Sequence, residues 1–158
     1  NTDAEGRLIL ADAIHYVGST FKPSSIIELS TLTGAMDIAL GEGYAGVFST
    51  SDVLWRNLKK AGEKANDEFW RMPLSEDHYA HQIKSNVADL KNVGGRSAGS
   101  CTAAIFLKNF VPNDIPFAHI DIAGVMHTKR ANAELIPGMT GRPTRAIIEY
   151  AKSISRHE

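Results

Sequence analysis

The chain has 158 residues, of which 43% are hydrophobic and 22% charged, and its 17 Lys and Arg nearly balance its 18 Asp and Glu. That balance belongs to a globular domain large enough to bury its own core, and it carries no electrostatic footprint for nucleic acid or an anionic membrane. A single cysteine, Cys101, excludes an internal disulfide and a Cys-rich zinc site, and no apolar stretch reaches the roughly 20 residues that span a bilayer. A reducing, cytoplasmic setting is therefore expected, and the opening Asn1 in place of Met suggests the C-terminal piece of a longer chain.

No repeat or linker divides the sequence, so residues 1–158 read as one domain. Leu10, Ala11, Ile14 and Val17 recur at helical spacing, and Gly18 offers a C-terminal cap, which predicts a helix over 5–17 with acidic residues at its start. The β-branched run 25–29 and the run 45–48 read as buried strands. The segment Thr31-Leu32-Thr33-Gly34 follows the first of these and opens a helix over 35–40. Leu54, Leu58, Ala61 and Ala65 mark a helix capped by Ser51 or Asp52. Residues 69–72 read as a loop carrying exposed apolar side chains, and 87–90 as an edge strand. A helix follows over 98–110 and a central strand over 117–122. A last helix runs over 143–154, with Pro143 in its first turn and Ile147, Ile148, Ala151 and Ile154 facing inward. Strands alternating with helices predict an α/β domain whose mixed, mostly parallel sheet is flanked by helices on both faces.

In such sheets chemistry gathers where strands end and loops begin. Asp3 and Glu5, two residues apart, can converge on a hard or borderline cation, although from spacing alone the helix dipole is the stronger account of acids in a first helical turn. Arg7 could stabilise an oxyanion or hold an anion beside them. The backbone of residues 31–34 could hold a peptide, or its threonines could simply cap the following helix. The glycine-rich run 94–100 could cradle an anion, yet it lacks a Gly-Lys-Ser/Thr ending, and no dinucleotide fingerprint occurs anywhere. His78 and His81, three apart on a predicted helix, could be a ligand pair, but no third ligand stands at suitable spacing and a solvated face is the better reading, while His15, His119, His127 and His157 are scattered. Cys101, among Thr102, Ala103 and Ala104, reads as a packing thiol, and no nucleophile elbow is present.

Taken as a set, these segments resemble the M17 leucine aminopeptidase family, the cytosol aminopeptidases. Asn1-Thr2-Asp3-Ala4-Glu5-Gly6-Arg7-Leu8 matches the family's octapeptide signature. The likeness continues through Thr31-Leu32-Thr33-Gly34-Ala35-Met36, Trp70-Arg71-Met72-Pro73-Leu74, Arg96-Ser97-Ala98-Gly99, His119-Ile120-Asp121-Ile122-Ala123-Gly124 and the run from Gly138 to Arg145. It implies the C-terminal part of the catalytic domain of a two-metal exopeptidase that removes residues such as Leu or Met from peptide N-termini. By resemblance Glu5 bridges two divalent ions (Zn, Mn or Mg), and Asp3 binds the more exchangeable one. Arg7 holds a bicarbonate-like anion that acts as base, and it helps to stabilise the tetrahedral intermediate. Thr31, Gly34, Ala123 and Met126 line the pocket for the first side chain, and the backbone of Leu32 and Gly34 holds the peptide. The resemblance further implies a homohexamer with peptide substrates and neither nucleic-acid nor membrane partners. It also implies that a Lys and two Asp ligands, a second catalytic Lys and an N-terminal domain lie upstream. The 158 residues alone are then expected to be inactive. A parent that keeps the fold as a catalytically dead structural or binding protein is the alternative.

Overall fold

In the computed structural model, which describes residues 4–112, 115–131 and 136–155, the first element is helix α1 (Glu5–Phe21). Arg7, Ala11, Ile14 and Gly18 form its buried face at helical spacing. The helix passes the end expected at residue 17. A Cβ on Gly18 would lie 2.5 Å from Pro112 Cγ, so this glycine serves close packing, and the cap is instead Lys22, left-handed at φ 46, whose N–H donates to the Gly18 carbonyl at 3.2 Å.

Strand β1 (Ile26–Ser30), helix α2 (Gly34–Leu40), strand β2 (Ala45–Ser49) and helix α3 (Asp52–Lys64) follow, α3 being capped by Ser51, whose hydroxyl accepts from Leu54 N–H. Strand β3 (Phe69–Arg71) lies where a loop was expected: Phe69 is buried, while Trp70 is exposed. Its pairing with β2 is a tertiary feature that a three-residue segment does not announce. Helix α4 (Glu76–Tyr79) runs into a 3₁₀ turn (Ala80–Ile83), and helix α5 (Gly99–Lys108) leads to strand β4 (Phe117–Asp121). Two short strands, β5 (His127–Thr128) and β6 (Gly138–Met139), form a separate hairpin-like pair before helix α6 (Thr144–Ile154).

The expected edge strand over 87–90 is absent. The Ser85 hydroxyl instead accepts from Val87 and Ala88 N–H at 3.2 and 3.1 Å, turning the chain, and Val87 is 97% exposed with no apolar face to bury. The face of α6 also differs from the expectation. Ala146 and Tyr150 are buried with α3, and Ile147 packs beside them, while Ile148, Ala151 and Ile154 point outward. The small Ala146 admits close approach to α3, and this contact, not the isoleucine spacing, sets the rotation. Pro143 is the residue before the helix and not part of its first turn.

The main sheet has the order β1-β4-β2-β3, with β1–β4 and β2–β3 parallel and β2–β4 antiparallel. One face, through Ala45, Val47, Ala118 and Ile120, packs on Leu54, Leu58 and Ala61 of α3 and on α6. Burying each of those leucines is worth roughly 1.5–3 kcal/mol. The opposite face packs on α1, α2 and α5: Ile26 and Phe117 meet Ala11, Ile14, Ile105 and Phe106, while Phe48 meets Met36, Cys101 and Ala104. The domain is thus an α/β sandwich of a mixed sheet between two helical layers, as expected. Among the described residues no helix is long and apolar enough to cross a membrane.

Candidate active site

The register of β1 on β4 pairs Ser30 with Asp121, so the segments after both strands leave the sheet side by side. Ile122 N–H donates to the Ser30 carbonyl at 2.9 Å and extends that alignment by one residue. Asp121 is fully buried at the junction. Its Oδ1 accepts from Leu32 N–H at 3.1 Å and from Ala123 N–H at 3.2 Å, and its Oδ2 accepts from the Thr33 hydroxyl at 2.6 Å. Thr33 Oγ1 in turn accepts from Met36 N–H at 3.2 Å as the N-cap of α2. Of the two threonines in the Thr-Leu-Thr-Gly turn, Thr33 is therefore the cap, and Thr31 is exposed.

The first turn of α1 passes over these strand ends and bounds a cleft of about 350 Å³ whose walls include Glu5, Arg7, Ser30, Thr31 and Leu32. Glu5 is exposed to it, whereas Arg7 is 9% exposed and lies on the packed face of α1. A buried guanidinium needs both hydrogen bonds and countercharge. Arg7 Nη1 donates to the Asn92 carbonyl at 2.7 Å, burial pushes the Arg7 pKa below its ordinary value, and the nearby Asp121 carboxylate pulls it back up. Arg7 and Ser30 both contribute to the cleft wall, and behind its surface Arg7 Nε and Ser30 Oγ are buried without a hydrogen-bond partner. The cleft thus sets a guanidinium side chain beside a carboxylate suited to a cation. As a metal site it is partial. Among the described residues no group of three or more His, Cys, Asp or Glu side chains converges, and Glu5 is the one carboxylate among the cleft's described lining residues.

The cleft unites four of the expected residues, Glu5, Arg7, Thr31 and Leu32. Asp3 lies outside the described residues. Gly34, Ala123 and Met126 are not among the cleft walls. Gly34 opens α2 with no atom within 4 Å of where its Cβ would be, Ala123 is fastened to Asp121, and Met126 is 38% exposed in the turn that follows. Leu32 N–H is already bonded to Asp121, which leaves its carbonyl for a ligand.

Two groups escaped the sequence reading. Asp121 reads there only as a residue of the strand over 117–122 and of the His119-to-Gly124 motif, with no role of its own, and Asn92 acts through its carbonyl, which no side chain signals. His119, one of the scattered histidines, is fully buried against Glu28: its Nδ1 pairs with Glu28 Oε2, and its ring stacks on Phe48 at 5.7 Å and 15°. His78 Nδ1 bonds the Ser75 hydroxyl at 2.6 Å on an exposed surface, and Cys101 is buried, with desolvation pushing its thiol pKa up, as a packing residue requires. In the glycine-rich run, Gly95 N–H donates to Gln82 Oε1 at 3.2 Å, and Ala98 adopts a left-handed conformation at φ 56 before α5.

Fold and cleft together define the class: an α/β domain of a mixed sheet between helices, with polar groups assembled at the carboxyl ends of paired parallel strands. The model of the cytosol aminopeptidase family, catalytic domain, matches residues 1–148, and the chain belongs to that family. The chain is 57% identical over 152 residues to a cytosol aminopeptidase of Bos taurus, covering 95% of this chain and 29% of that protein. It is 54% identical to the cytosol aminopeptidase of Homo sapiens, covering 99% of this chain and 30% of that one. A solved structure of a tomato leucine aminopeptidase mutant superposes with a TM-score of 0.87 at 40% identity, over 95% of this chain and 28% of that one. The chain therefore spans about 30% of the length of the relatives it matches.

Proposed function

We propose that the protein to which this chain belongs is a metal-dependent aminopeptidase that releases N-terminal residues such as Leu from peptides. The observation that carries the reading is the meeting of the Glu5 carboxylate, the buried Arg7 guanidinium and the Thr31–Leu32 backbone in one cleft, within a chain of this family. Glu5 and Asp3 would hold two divalent ions (Zn, Mn or Mg) together with a Lys and two Asp from outside the 158 residues, and such ions polarise a carbonyl and lower the pKa of water. Arg7, fixed by the Asn92 carbonyl, brings its guanidinium charge to the cleft wall, where it would face the negative charge that develops on the substrate oxygen, or a bicarbonate-like anion serving as base. Thr31, Gly34, Ala123 and Met126 would receive the first side chain. The Leu32 carbonyl, its own N–H being engaged, would accept from the peptide, with the Gly34 backbone aiding alignment. The same reading assigns a homohexamer acting on peptides in the cytoplasm.

In the full-length protein, wild type should release Leu from Leu-amide in a chelator-sensitive reaction, and Glu5→Gln should reduce that release to background, because a neutral amide cannot replace a bridging carboxylate. Undiminished release by Glu5→Gln would overturn the proposal.

A further inference from the structure

We propose that Asp121 is a positioning residue which, by fastening the segments after β1 and β4 to one carboxylate, sets how strictly those segments, which carry the residues proposed to receive it, select the first side chain of a peptide. The inference rests on the peptidase reading of the cleft. Asp121 belongs to none of the groups assigned above to metal, anion or peptide. It is nevertheless the only side chain found joining the two segments, with Leu32 N–H and Thr33 Oγ1 on one side and Ala123 N–H on the other, among the described residues. Thr31 and Leu32 form a wall of the cleft, so the carboxylate that holds Leu32 and Thr33 also fixes that wall. Ala123 is the first residue of the neighbouring turn, and its spacing from Leu32 is set by their shared acceptor, Oδ1. A site selects among apolar side chains by small differences in packing, and those differences survive only while its walls stay in place. A residue that served stability alone would change how many molecules are active. A residue that sets the spacing between the two segments proposed to receive the first side chain changes which substrates are accepted.

The way the bonds divide between the oxygens provides the control. Both backbone donors use Oδ1, and only Thr33 uses Oδ2. In Asp121→Asn the amide oxygen can keep both backbone bonds, and the amide NH₂ can donate to Thr33 Oγ1 with that one bond reversed. Asp121→Ala loses all three. The experiment measures kcat and KM of the full-length enzyme on aminoacyl amides that differ only in the first residue, Ala, Val, Leu, Met and Phe. For Asp121→Ala the spread of kcat/KM across the series should narrow about fivefold or more, with KM rising most for the substrates wild type prefers. Asp121→Asn should keep the spread within about twofold of wild type. An Asp121→Ala enzyme with wild-type spread and a kcat reduced by one common factor would overturn the inference, as would an Asn variant that narrows the spread as much as Ala does. If Asp121→Ala yields no folded protein, Thr33→Val and Thr33→Ser decide the same point: narrowing in Val with retention in Ser supports the inference, and wild-type spread in Val overturns it. A wild-type protein that releases nothing would instead refute the peptidase reading, and the inference with it.

Discussion

Replacing Gly124 with alanine should disrupt the strand-end turn, whereas the same change at Gly34 should leave the fold intact. A Cβ on Gly124 would lie 2.3 Å from the Gly41 carbonyl oxygen, 3.0 Å from the Gly41 carbonyl carbon and 3.3 Å from Asp37 Cα. All three are main-chain atoms. They are held by Gly41 N–H donating to the Asp37 carbonyl at 2.8 Å and by the left-handed φ of 54° at Gly41, so no side-chain rotation can relieve the contact. The carbon–oxygen approach must open by roughly 1 Å to reach ordinary van der Waals separation, which displaces either the end of α2 or the 123–126 turn. Overpacking of this kind costs about 1–3 kcal/mol, and the rigidity of the neighbours places the expected cost at about 2–3 kcal/mol. At Gly34 nothing lies within 4 Å of an added Cβ, so alanine in the first turn of α2 should change stability by less than about 0.5 kcal/mol. Urea denaturation of the full-length variants, followed by tryptophan fluorescence, reads both from the midpoint at constant slope. A Gly124→Ala midpoint indistinguishable from wild type, or a Gly34→Ala protein destabilised by more than about 1 kcal/mol, would refute this packing argument.

Arg142 donates to Asp67 Oδ1 at 2.5 Å and to the Glu42 and Gly43 carbonyls at 2.7 and 3.1 Å, tying three segments together around a nearly fully buried carboxylate. Arg142→Met should cost about 3–5 kcal/mol, and adding Asp67→Asn should recover part of it; a coupling below about 0.5 kcal/mol in that double-mutant cycle would contradict the assignment. Glu149 on α6 is paired with Lys64 of α3 and with Lys152, and these ammonium groups hold its carboxyl below the usual range. A depressed folded-state pKa contributes stability that is fully present above the unfolded value and is lost as pH falls through the folded one. Thermal melts of wild type and Glu149→Gln should therefore differ above about pH 4.5 and converge below it, and parallel curves across that range would count against the pairing. The proposed hexamer should appear in sedimentation of the full-length protein; Trp70, Ile136 and Met139 are each more than half exposed and are available for burial between subunits, and a monomer would contradict this.

What could be read in the sequence depended on whether local pattern or tertiary contact decided the outcome. Strands β1, β2 and β4 are apolar runs bounded by polar turns, and Ser51 caps a helix whose leucines recur every four residues, so composition and spacing sufficed. Gly18 misled because a glycine that ends a helix and one that admits a neighbour look alike until Pro112 is seen against it. On α6 Ile148 and Ile154 are outside and a small alanine inside, since proximity to α3 outweighs hydrophobicity. The site divides in the same way. Glu5, Arg7, Thr31 and Leu32 stand in compact motifs, and they do meet in one cleft. Asp121 acquires its role only from the register that sets Ser30 beside it, and the Arg7–Asn92 bond rests on a backbone carbonyl that every residue possesses.

The most direct test of the central claim is the divalent-metal content of the full-length protein by elemental analysis, taken with its rate of Leu release, in wild type and in Glu5→Gln. If Glu5 bridges two ions, wild type carries two equivalents per chain and releases Leu, while Glu5→Gln carries at most one equivalent and releases none. Two tightly held equivalents with undiminished release in Glu5→Gln would contradict the account, because the carboxylate at the mouth of the cleft would then be no part of the centre.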